Sequence, residues 1–128
     1  MLFYSKLRFT IAEDVRKMAA TLNTSLAMGI DLSKIEFIRS SGSRSRAYAR
    51  TFSLPSQWRF VLNTEKFYIV EVISERFDNL SCYDKVYVVT HELMHIPRGM
   101  TGGLRNHSFK GFKRIRSILS KTDVSDLC

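Results

Sequence analysis

Residues 91–95 read His91-Glu92-Leu93-Met94-His95, the pattern HExxH. Two imidazoles four positions apart share one face of a helix, so both can point at one metal ion. Glu92, one residue on, is rotated by about 100°. It can approach a metal-activated water without ligating the metal. This is the equipment of metal-assisted hydrolysis: the cation polarises, and a nearby carboxylate carries the proton. Chance places the pattern in roughly one chain in three hundred of this histidine and glutamate content.

An open tetrahedral zinc site takes three protein ligands. No glutamate follows Glu92, and the only later acids are Asp123 and Asp126. That inventory excludes a downstream glutamate as third ligand. The remaining histidine, His107, is the natural choice. Gly99, Gly102 and Gly103 lie between it and His95 and allow the chain to double back. The expectation is one Zn²⁺ held by His91, His95 and His107.

The stretch THELMHIPRGMTGGLRNHSFKGF (90–112) resembles the zincin-type phage metallopeptidase family. That pattern is a HELxHIP helix, a glycine-bearing loop, then R-x-H and an aromatic. YIVEVISERFDNLS (68–81) is similar to the same family, and the likeness covers about residues 30–115. It implies a zincin-like fold, His91, His95 and His107 as ligands and Glu92 as general base, and says more of fold and metal than of substrate; with that hydrolytic chemistry the expected partner is a peptide or protein substrate. The metzincin pattern HExxHxxGxxH puts its third histidine six residues after the second, which this chain does not. SprT-like proteases share the logic more weakly. Two other classes stay open. One is a metal-dependent nuclease, although a bacterial endoribonuclease pattern, HGxLHxxGxDH, has glycine where Glu92 stands. The other is a non-catalytic zinc module on nucleic acid or in a virion.

These residues need a scaffold. Ser81 or Cys82 to Ile96 reads as the metal helix, stopped by Pro97 and Gly99. Val86, Val89, Leu93 and Ile96 form its core stripe, on a face separate from the histidines. Ile11, Val15, Met18, Leu22 and Leu26 predict an earlier helix over 11–29, with Thr10 and Glu13 spaced as a capping box. Strands are predicted at 35–39, at 47–53 with 58–62 (interrupted at Pro55), and at 67–73. Phe109, Phe112, Ile115 and Leu119 mark a last helix, weakened by Gly111. The class expected is α+β: one small domain over 1–128, with a twisted, mostly antiparallel sheet packed on the first helix and the HExxH helix.

The chain has 128 residues, is 45% hydrophobic and 25% charged, and carries a net charge of +8. That composition excludes a disordered, collagenous or coiled-coil chain. No apolar run reaches the roughly 18 residues of a membrane span, and the start is no signal peptide, so the expected setting is cytoplasmic. Cys82 and Cys128 are expected as free thiols. Arg39, Arg44, Arg46, Arg50 and Arg59 fall in one acid-free segment (39–59), and seven cations fall in another (98–121). Such blocks fit a solvated basic surface or an anionic partner such as nucleic acid. Arg105 could steady an oxyanion or serve structure. Tyr48 and Tyr87 could donate to a transition state, with rim packing the plainer expectation. Glu71 and Glu75 are expected on a solvated strand face.

Overall fold

The computed structural model describes residues 6–128. The elements run β1 (Arg8–Ile11), α1 (Glu13–Ser25), a 3₁₀ turn (Leu32–Lys34), β2 (Ile35–Ser41), β3 (Ala49–Ser53), α2 (Ser56–Leu62), β4 (Tyr68–Ile73), α3 (Ser74–Phe77) and α4 (Cys82–Met94). A second 3₁₀ turn (Lys110–Arg114) leads into α5 (Ile115–Ser120). The class is α+β, as expected. The sheet order is β1-β2-β4-β3. β1 pairs antiparallel with β2, and β3 antiparallel with β4, whereas β2 and β4 are parallel.

Period-two alternation in the strands places Ile35 and Phe37 of β2 and Tyr68, Val70 and Val72 of β4 on one buried face. Val15, Met18, Ala19 and Leu22 of α1 meet them from above, as do Val86, Val89 and Leu93 of α4. Each buried valine, leucine or methionine among them contributes about 1.5–3 kcal/mol. Arg39 of β2 ties the layers: its guanidinium reaches Asp14 of α1 at 2.8 Å and Asp78, just past α3, at 3.0 Å. The Arg39 hydrogen bond holds the Asp14 carboxyl below its usual range.

Several expectations change. α1 starts at Glu13, after Ala12, and no side chain caps it. Thr10 lies in β1, so the capping-box spacing is not used. Ile11 is likewise strand and is 56% exposed. Residues 56–62 are helix, not strand. Pro55 holds φ at −55° and opens the turn, and its carbonyl accepts from Arg59 N–H at 3.1 Å. The apolar content that suggested a strand faces solvent: Trp58 is 56% exposed and Phe60 86%.

Glu71 is 3% exposed, not solvated, because β4 is an interior strand. Both its oxygens take Arg50 Nη2 at 3.2 Å across the β3–β4 pair. Glu75 lies in α3 and accepts the Gly42 N–H at 2.9 Å. Cys82 and Cys128 are joined in a disulfide. The last residues fold back so that Val124 and Leu127 pack on the core, which brings the two Cα atoms to 5.7 Å. Among the described residues no helix is long and apolar enough to cross a membrane.

Candidate metal centre

Ser81 starts α4 as an N-cap, its hydroxyl accepting from Asp84 N–H at 3.2 Å. The core stripe of Val86, Val89, Leu93 and Ile96 then fixes the helix rotation, since all four are buried. That rotation turns His91 and His95 outward into a cleft of about 510 Å³, which Glu92, Thr51 of β3 and His107 also line.

The loop after α4 is pinned by one phenol. Tyr68 of β4 donates to the Gly103 carbonyl at 3.0 Å and accepts from Gly102 N–H at 2.9 Å. Gly102 sits at φ +109°, which favours glycine. The chain then runs back along the end of α4, with Arg105 N–H donating to the His95 carbonyl at 2.7 Å. Two residues later His107 enters the cleft. An Asn106 side chain that accepts Ser108 N–H at 2.9 Å shapes the turn there.

The three histidines offer ring nitrogens that all lie within 4.8 Å of one another, a grouping able to hold a metal ion. His91 Nε2 and His107 Nε2 stand 3.3 Å apart. Two ligand nitrogens on a tetrahedral zinc are about 3.3–3.4 Å apart, given bonds of 2.0–2.1 Å. His95 donates from Nδ1 to the Arg105 carbonyl at 2.7 Å. A carbonyl only accepts, so Nδ1 carries the proton and Nε2 is the nitrogen left for a metal. Burial, with the charges of His95 and His107 added, pushes the His91 imidazole down to about 4. At neutral pH it is therefore a free ligand. The residues present fit a zinc-like cation.

Glu92 is buried beside them. Burial raises its pKa, and a hydrogen bond from Thr51 Oγ1 to Oε1 at 2.8 Å opposes the rise. Oε2 has no hydrogen-bond partner among the described residues.

Sequence reasoning brought His91, Glu92, His95 and His107 forward, and the fold brings all four together. It missed Thr51, which no local pattern marks. It saw Phe112 only as part of a helix face. In the structure the Phe112 ring packs against all three imidazoles, with centroids at 4.7, 4.7 and 5.4 Å. A side chain on Gly111 would collide with the Phe109 ring, which stands edge-on to Phe112. The residues before Ile115 are a 3₁₀ turn, so the last α-helix starts later than expected.

Arg105 lines the cleft but is engaged in structure. Its guanidinium lies 4.1 Å from the Phe109 centroid and donates to the Met94 carbonyl at 3.3 Å. Tyr48 and Tyr87 rim a second cavity next to His91 and Glu92. Of the basic residues, Arg39 and Arg50 are consumed by carboxylates. Arg44, Arg46, Lys110, Lys113, Arg114, Arg116 and Lys121 are exposed, and no described carboxylate pairs with them.

Neither the curated proteins nor the solved structures gave a match. A family model matches residues 7–128, a longer stretch than the motif region alone. The chain therefore belongs to the family described as putative phage metallopeptidase.

Proposed function

We propose that this chain hydrolyses peptide bonds, with one zinc ion held by His91, His95 and His107 and with Glu92 as general base. The observation that carries the reading is the convergence of three imidazoles, two with Nε2 atoms 3.3 Å apart, on a cleft whose wall includes a buried carboxylate. Bound there, zinc supplies Lewis-acid chemistry: it polarises a carbonyl and makes water a better nucleophile near neutral pH.

The chain's own residues do the rest. Glu92 takes the water's proton on Oε2 and passes it to the leaving amine, while Thr51 holds Oε1 still. The raised pKa of Glu92 suits a group that must both accept and release a proton. The Arg105 carbonyl keeps His95 in the right tautomer. β3 is an edge strand, and its Thr51 touches Glu92. Its open edge can therefore take a substrate main chain as an added strand, which brings the peptide past the histidines.

Elemental analysis and a peptide-library cleavage screen test the reading. About one equivalent of zinc and defined cleavage products are expected. His107→Ala should hold less than half an equivalent after zinc supplementation, and full retention would remove His107 from the site. A second reading, contact with nucleic acid, has support in the exposed unpaired cations of residues 110–121. Oligonucleotide anisotropy that falls steeply with salt would favour it, and no binding at about 50 mM salt would dismiss it.

A further inference from the structure

We propose that Tyr48 and Tyr87 form a side-chain pocket for an apolar, planar residue of the substrate beside the scissile bond, and that Arg116 selects an acidic residue next to it. This specificity rests on the peptidase reading above. A cavity of about 220 Å³ opens beside His91 and Glu92, with walls from Tyr48, Ala49, Tyr87 and Val88. It shares Ala49, His91 and Glu92 with the cleft over the histidines, so the two spaces adjoin. A substrate held at the histidines has one neighbouring side chain within reach of it.

The walls decide what that side chain is. Tyr87 and Val88 precede His91 and Glu92 by one helical turn and so share their faces. Tyr48 closes the other side from the bend just before β3. Two aromatic rings, a valine and an alanine methyl make the walls largely apolar, with polar groups from His91, Glu92 and the two phenols. Such a lining takes an apolar side chain, and two rings favour a flat one.

Arg116 supplies the second element. Its Cζ lies 5.2 Å from the Tyr87 centroid, on α5. The residue is exposed and makes no hydrogen bond or ion pair with any described residue. A guanidinium stacked on an aromatic ring keeps its in-plane N–H donors free for a carboxylate. Arg44 and Arg46, exposed in the segment leading to Tyr48, add charge of the same sign.

Two measurements test this. In the first, the metal-free chain is titrated with 3-phenylpropionate, with phenethylamine and with a short oligothymidine, read by NMR. Shifts at Tyr48, Tyr87 and Val88 with phenylpropionate, tighter than with phenethylamine by about three-fold, are expected. Arg116→Ala should abolish that difference. Shifts at the two tyrosines from the oligonucleotide but not from phenylpropionate would overturn the proposal.

In the second, the zinc-loaded chain is given a randomised peptide library. Cleavage should concentrate beside Phe, Tyr, Leu and Met, with Asp or Glu enriched at the adjoining position. Tyr87→Ala should lower kcat/KM for a Phe-containing substrate roughly ten-fold or more. Tyr87→Phe, which keeps the ring under Arg116, should restore the preference. Cleavage with no apolar preference overturns the pocket. Phenylpropionate binding with no hydrolysis of any peptide supports the pocket and overturns the peptidase reading instead.

Discussion

His95 and Arg105 hold each other by two bonds of 2.7 Å: the imidazole Nδ1–H donates to the Arg105 carbonyl, and the Arg105 N–H donates to the His95 carbonyl. One contact thus fixes the tautomer of a candidate ligand and anchors the segment that delivers His107 two residues later. The end of the metal helix and the returning loop are one unit, and Phe112 packs under it.

Glu92→Gln keeps the side-chain shape and an oxygen for Thr51, but cannot take a proton. It should bind metal as the parent does and lose hydrolysis by about 10²–10⁴-fold. Turnover with a cleaved peptide, alongside metal stoichiometry, checks this. Undiminished turnover would exclude Glu92 as the base.

Thr51→Val removes the hydrogen bond that lowers the Glu92 pKa, while the burial that raises it stays. The Glu92 pKa should rise further. The acid limb of the pH–rate profile should therefore move to higher pH. A lower rate with an unmoved profile would mean that Thr51 only packs.

The metal-free protein should lose stability as pH falls from about 6.5 to about 4. His91 stays neutral in the fold down to about 4, whereas an unfolded histidine takes its proton near 6.5. Across that window the unfolded state binds more protons, so acid favours it, and the loss levels off below pH 4. Glu92 acts in the opposite sense. Its raised pKa lets the folded state take a proton first, so its burial costs least in acid. Asp14 acts lower still: its depressed pKa gives stability present above about 3.8 and lost below. Urea midpoints of parent and His91→Asn at pH 7, 6 and 5 test the assignment. A decline of equal slope in His91→Asn would place its origin elsewhere.

Cys128→Ser should cost about 2–4 kcal/mol, because the bridge closes a long loop between the start of α4 and the chain end. The parent in reductant should match the mutant's urea midpoint. Equal midpoints for oxidised parent and mutant would show that the strap of Val124 and Leu127 holds without the bond.

HExxH spacing alone determined that His91 and His95 share a face and that Glu92 stands beside them, because helical periodicity is a local property of the backbone. The stripe of Val86, Val89, Leu93 and Ile96 told which face is buried, and the glutamate inventory left His107 as the candidate third ligand. β2, β4 and α4 were legible because their sequences carry local signals, runs of β-branched and aromatic residues in the strands and an apolar stripe at helical spacing in α4. What depends on chain closure was not legible. Thr51 reaches Glu92 only because β3 takes the sheet edge beside α4, and Glu71 is buried only because β4 is interior. The Cys82–Cys128 pairing needs the last residues to fold back on the core. Trp58 and Phe60 carry strand-like side chains, but Pro55 starts a helix and packing leaves them in solvent. For Thr51, Glu71 and the cysteine pair the deciding contact joins residues far apart in sequence, and such contacts form only once the packed core has brought the segments together.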